Sequence, residues 1–178
     1  LYAGKEYWDR LDPHERLRHI LRSLSQWHER WAFCGASAAV MHGLDCSYRQ
    51  LHPIHVAVGR NSRPRNQRYV RFHVLDDAET VAVDGARVTS ILRTLVDCAA
   101  MMPRRYAMAP IDSALRQGKT TVEQMLEYVD AIPMLRDRER IRAVLAQGDG
   151  RVENGGESEC RAVLDELGFP TLPSPWAS

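Results

Sequence analysis

The period of the apolar pattern changes sharply at Ser90, and that change limits what the chain can fold into. Between Ile54 and Thr89, apolar residues alternate with polar ones. The runs are Ile54–Val58, Tyr69–Val74 with Val70, Phe72 and Val74 on one face, Thr80–Val83 and Ala86–Thr89. A period of two places alternate side chains on opposite faces of a strand. Asp84-Gly85 separates the last two runs and supplies the positive φ values of a tight hairpin turn. From Ser90 onward the spacing becomes three or four. Ile91, Leu92, Leu95, Val96, Ala99 and Met102 form one helical stripe, ended by Pro103. Strands followed by helices predict an α+β domain: a small mixed or antiparallel sheet packed with helices, with a helical C-terminal half.

More helices follow the first. A second ends near Gly118, and Pro110 inside it predicts a kink or a late start. Thr120 with Glu123 caps a third, carrying Val122, Met125, Leu126 and Val129; Pro133 breaks it, and a fourth spans Leu135 to Gln147. Ahead of the strands, Asp12-Pro13-His14-Glu15 reads as a helix start, with Asp12 as cap and Glu15 as the return contact. Leu17, Ile20, Leu21, Leu24, Trp27 and Trp31 then mark a buried face. The short apolar stretch Trp31–Cys34 leads into a small-residue helix, Gly35 to His42, closed by Gly43. Gly148 to Gly156 holds four glycines in nine residues and reads as a linker. Beyond it, Glu157 to Leu167 forms an amphipathic helix with Cys160, Val163, Leu164 and Leu167 on its apolar side.

At 178 residues, 44% apolar and 26% charged, the chain can bury a sizeable core. It has no run of about 18 apolar residues to make a transmembrane helix, and no signal peptide begins it. Cys34, Cys46, Cys98 and Cys160 lack paired spacing, so free thiols in a reducing cytoplasm are expected. The net charge of +1 offers no bulk attraction for nucleic acid. Any case for DNA rests on where the charges sit.

They concentrate at one place. Arg60, Arg63, Arg65, Arg68 and Arg71 fall within twelve residues without an acid, between two expected strands. Guanidinium groups on such a loop can grip phosphates bidentately or enter a narrow minor groove. Arg136, Arg138, Arg140 and Arg142 alternate with Asp137 and Glu139, which on a helix gives self-compensating surface pairs. Arg93 and Asp97, four apart on a helix, form a structural pair that holds the helix to the sheet. His52 and His55 near Cys46 are metal-type ligands without a second half-site, so no metal is assigned. Cys34, Ser37 and His42 could compose a nucleophile and base, but they lie in an apolar packing stretch. Asp76, Asp77 and Glu79 read as a polar turn. No catalytic residue and no cofactor is expected.

The order of motifs adds a resemblance. Trp31-Ala-Phe-Cys-Gly-Ala-Ser-Ala-Ala-Val-Met-His-Gly-Leu44 resembles a segment of AbiEi-like antitoxins and related actinobacterial transcriptional regulators, and His55–Val58 is similar to the strand that follows there. Asp84-Gly-Ala-Arg-Val-Thr-Ser-Ile-Leu-Arg-Thr-Leu-Val-Asp97 and Ile111–Leu115 resemble their later elements, so that the likeness runs over roughly residues 1–147. It implies the non-catalytic region of a cytoplasmic DNA-binding regulator or antitoxin. Its partners would be its own promoter DNA and a nucleotidyltransferase-like toxin, with Arg60, Arg63, Arg65, Arg68 and Arg71 as phosphate anchors. Residues 1–8 would be the remnant of a winged-helix wing strand, 9–147 the antitoxin-like domain and 148–156 a linker. Gly156–Arg161 and Leu167–Pro170 resemble the first helix of a restriction-endonuclease-like domain of the very-short-patch-repair type, making 157–178 its start and a DNA nuclease the rival reading. The Gly-Ala-Ser helix before Ile54–Val58 also resembles minimal nucleotidyltransferases. The two metal-binding aspartates of that chemistry have no counterpart at 52–58, leaving at most a degenerate relative.

Overall fold

Asp12 starts the first long helix. Its carboxylate accepts from the His14 and Glu15 backbone N–H groups, and Glu15 reaches back to the Asp12 N–H at 2.9 Å. Two of the orphan donors at the helix start are thereby satisfied reciprocally. The computed structural model describes residues 4–62, 64–75 and 78–169. Along them run α1 (Lys5–Arg10), α2 (Pro13–Trp27), β1 (Ala32–Phe33), α3 (Gly35–Met41), a 3₁₀ turn (Tyr48–Gln50), β2 (Ile54–Val58) and β3 (Val70–Val74). Then come β4 (Thr80–Val83), β5 (Ala86–Thr89), α4 (Ile91–Met101), α5 (Arg104–Arg116), α6 (Val122–Ala131), α7 (Arg138–Leu145) and α8 (Gly155–Glu166). Of the expected wing remnant at residues 1–8, Leu1–Ala3 lie outside the described residues, as do Arg63, Asp76 and Asp77, while Lys5–Trp8 belong to the helix α1 and not to a strand.

The fold is α+β, and its five-stranded sheet is mixed, in the order β3-β2-β1-β5-β4. β2 runs parallel to β3 and antiparallel to β1; β1 runs parallel to β5; β4 and β5 form the expected hairpin with Asp84 and Gly85 at positive φ. One core joins Leu17 and Leu21 of α2 with Phe33, Val40, Val56, Val88, Leu95 and Ile111. All seven residues of α3 are buried.

Several sequence expectations shift by a turn or a face. Trp27 is 83% exposed, because each three-residue step from Leu21 through Leu24 drifts about 60° around the helix. Val74 is also exposed, since β3 is the edge strand and has a neighbour on one flank only. α5 begins at Arg104, so Pro110 does not delay its start. The cap of α6 is Thr121 with Gln124, one residue later than the sequence suggests, while the side chain of Thr120 is buried. α7 begins only at Arg138, because Met134 and Asp137 both adopt left-handed backbone that no helix can include.

The glycine-rich stretch lies against α5. A Cβ on Gly150 would come within 3.2 Å of the Leu115 backbone, and one on Gly155 within 3.3 Å of the Ala109 Cβ. α8 consequently docks on α5 through small residues, burying Ser158 and Ala162 and leaving Val163, Leu164, Leu167 and Cys160 outward. Its apolar side is therefore not the one sequence periodicity selects. Asp112 of α5, fully buried, fixes both segments: its carboxylate accepts from the Asp149 N–H at 2.7 Å and from Arg161 at 2.7 Å. Among the described residues, no helix is long and apolar enough to cross a membrane.

Substituting Asp112→Asn weakens both anchors at once. Amide exchange should rise through residues 148–166 while β1–β5 keep their protection. Uniform protection loss across the sheet, or none along α8, would show that this carboxylate is not the anchor.

Candidate nucleic-acid interface and the groove beside it

The arginine-rich segment connects the parallel strands β2 and β3 and ends in the edge strand itself. Arg60, Arg65, Arg68 and Arg71 are exposed; Arg63 lies outside the described residues. The Arg68 guanidinium sits 5.1 Å from the Tyr69 ring centroid, a cation–π contact that restrains it. Arg71 is paired in register with His55, so both point to one face of the sheet, together with Ala57 and His73. The loop also closes on itself. Asn66 Oδ1 accepts from the Phe72 N–H at 2.9 Å, and the Gln67 N–H donates to the Val70 carbonyl at 2.9 Å.

On that same face lies a histidine pair that the sequence did not suggest. His55 Nδ1 and His73 Nε2 are 2.9 Å apart, with rings stacked at 5.1 Å between centroids. One ring nitrogen donates to the other, which requires at least one neutral ring. Burial, then the charges of His73 and Arg71, push the His55 pKa down to about 4; burial and Arg71 also lower His73. The only signal available in sequence was the matching alternation of two parallel strands, and its register was not readable.

A groove of about 820 Å³ begins at His73 and is floored by α4 and rimmed by the α6–α7 loop. At its base, Arg93 Nε donates to Asp97 Oδ1 at 2.9 Å. The pair was expected to tie the helix to the sheet, but it is internal to α4. Asp97 is 2% exposed, and its second oxygen, Oδ2, has no hydrogen-bond partner among the described residues. Burial pushes its carboxyl up to about 6 despite Arg93, so at neutral pH a poorly compensated carboxylate lies beneath the groove.

The remaining candidates separate. Arg138 donates to the carbonyls of Asp130 and Ile132, Arg140 to those of Ala99 and Ala100, and Arg142 pairs with Asp130. Arg138 and Arg140 cap the C-terminal ends of α6 and α4, where free carbonyls collect, and Arg142 pairs with a side chain of α6 instead of with Asp137 or Glu139. Cys34 is buried and its thiol is pushed well up by that burial. Ser37 Oγ accepts from the His55 N–H, and His42 Nε2 donates to the Thr89 carbonyl, so the three do not converge. Cys46 lies elsewhere, its carbonyl accepting from His14.

Residues 31–147, which hold the sheet, the arginine segment and the groove, match the model of the AbiEi antitoxin C-terminal domain. The chain belongs to this family. The AbiEi match starts at β1, leaving α1 and α2 outside it, and stops before the glycine-rich stretch, so it does not extend to the endonuclease-like likeness of α8. Two proteins of Mycobacterium tuberculosis, the uncharacterized proteins MT2308 and Rv2248, are each 30% identical to the chain over 141 residues, covering 77% of it and 49% of their own length. The chain thus spans about half the length of the curated relatives it matches.

Two measurements test this electrostatic picture. Removing Arg93 strands the Asp97 carboxylate, so Arg93→Ala should cost on the order of 3–5 kcal/mol in chemical denaturation, and Asp97→Asn clearly less. The His55 pKa is lowered on folding from 6.5 to about 4. Its contribution to stability is therefore present above pH 6.5 and lost as the pH falls towards 4. Asp97 has the opposite sign, its raised pKa making it destabilising as the pH rises through 6. The difference between wild type and His55→Gln isolates the first effect: melts from pH 7 to pH 4 should converge, and parallel curves would exclude it.

Proposed function

We propose that this chain is the non-catalytic antitoxin region of a cytoplasmic DNA-binding transcriptional regulator, and that its arginine segment anchors phosphates of the operator. The observation carrying this reading is the placement of Arg65, Arg68 and Arg71. All three are exposed on a loop and an edge strand of a domain in the AbiEi antitoxin family. With a net charge of +1, the attraction is local to this edge. Arg60 extends it along the loop, and Arg63, outside the described residues, is the fifth arginine of the segment in sequence. Contacts of this kind fix register on a duplex and carry no base readout, so sequence choice belongs to another part of the regulator. A nucleotidyltransferase-like toxin is the second partner that the family supports.

The test is a gel shift on the protein's own promoter at several salt concentrations, comparing wild type with the triple variant Arg65→Ala, Arg68→Ala, Arg71→Ala. Loss of three phosphate contacts should flatten the dependence of log K on log salt by about 2.7, at about 0.9 per contact. An unchanged slope with folded protein defeats the reading. Self-association of the variant with intact DNA binding would mean that the arginines only guard the sheet edge.

A further inference from the structure

The two edges of the sheet are not alike. At β3, Asn66 Oδ1 caps the outward Phe72 N–H. β4, the opposite edge, carries no such guard. Its residues, Thr80–Val83, include no charge and no proline, the usual devices that keep an edge from pairing. Ala82 is exposed, and Val81 is 38% exposed on the face it shares with the core residue Val88. The Ser90 N–H donates to the Glu79 carbonyl, so the pairs that exchange bonds along this ladder are Glu79–Ser90, Val81–Val88 and Val83–Ala86. The backbone N–H and C=O groups of Thr80 and Ala82 therefore point away from β5. Among the described residues they have no hydrogen-bond partner.

We propose that β4 is a self-association edge: it pairs antiparallel with β4 of a second copy about a two-fold axis at Val81, joining two five-stranded sheets into one. The spacing of the free groups selects this occupant. They sit on residues two apart, so a two-fold axis midway between them sets Thr80 opposite Ala82 of the copy. The Thr80 N–H then donates to that Ala82 carbonyl, and the Thr80 carbonyl accepts from that Ala82 N–H. The symmetric pair repeats the exchange, and every free group is used. Val81 meets Val81 of the copy at the closely spaced, non-bonded position, which takes both side chains out of water. Beyond them Glu79 falls opposite Val83, and Asp84 opposite Ala78, so no like charges confront each other. A register centred on Ala82 would instead need Asp84 as the bonding partner of Thr80, and its φ of 50° takes it out of extended backbone. The arginine segment borders the far edge of each sheet, so the pairing neither covers it nor depends on what it binds.

Sedimentation equilibrium of this chain from micromolar to millimolar concentration should show a reversible monomer–dimer step, weak because so short an edge makes a small interface. Val81→Lys and Val81→Glu, each with its fold checked by circular dichroism, should each weaken the step at least about tenfold, because like charges then face each other across the axis. An equimolar mixture of the two variants should restore dimers, since the opposite charges then meet. A chain that stays monomeric throughout overturns the proposal. Association that persists in both variants also overturns it, and would place the contact on another surface, such as the outward Val163 and Leu167 of α8. Failure of the mixture to recover overturns it as well, because position 81 then does not face itself.

Discussion

The two halves of the sheet meet at a strand of two residues. Ala32 and Phe33 pair with Ala57 and Val56 on one side, and Phe33 with Val88 on the other. So short a ladder cannot hold five strands by itself, and packing must supply the rest. Phe33 is fully buried, and the chain turns directly from it into α3, whose small residues let neighbours approach closely. Gly35, at φ +51°, would bring a Cβ to 3.2 Å from the Met101 sulfur. A larger or stiffer residue there would displace α4 from the sheet.

α3 also binds the two halves by hydrogen bonds. Ser37 Oγ accepts from the His55 N–H of β2 at 2.9 Å, and His42 Nε2 donates to the Thr89 carbonyl of β5 at 2.8 Å. Both are contacts between a buried or half-buried helix face and strand backbone, where an unmet partner costs more than the bond contributes. This clamp sets β2, and β2 sets the register of β3, which brings His73 beside His55 and starts the groove. The candidate surfaces are thus downstream of the central packing: the arginine segment hangs from β2, and the groove opens where β3 passes the end of α4.

What could be read in advance was whatever depends on local pattern. The capping box at Asp12, the Asp84-Gly85 hairpin and the small-residue helix at Gly35 are each decided within a few residues, and each was legible. Trp27, the start of α7 and the buried side of α8 were not, because they depend on where a neighbouring element stops. α8 shows the reason most clearly. Periodicity ranks Val163 and Leu164 as inward, but close approach to Ala109 favours the small face of Ser158 and Ala162. The arginine cluster was visible as composition. The His55–His73 pair and the orphaned Asp97 oxygen were not, since both arise from residues 18 apart across a register or from a missing partner, and sequence records neither.

The arginine edge and the groove hold their charges in different settings. At the edge, guanidinium groups stand in solvent, where interactions fade over about 8 Å at physiological salt, so they suit a partner carrying many charges at once. The Asn66 cap on the Phe72 N–H also occupies the outer flank of β3, a flank that would otherwise invite another strand. In the groove the charges are paired: Arg93 and Asp97 meet at its base, and Arg136 is exposed at its rim. Arg71 and His73 share one face of β3, so the arginine edge and the groove adjoin, and what distinguishes them is how deeply α4 lies beneath each residue.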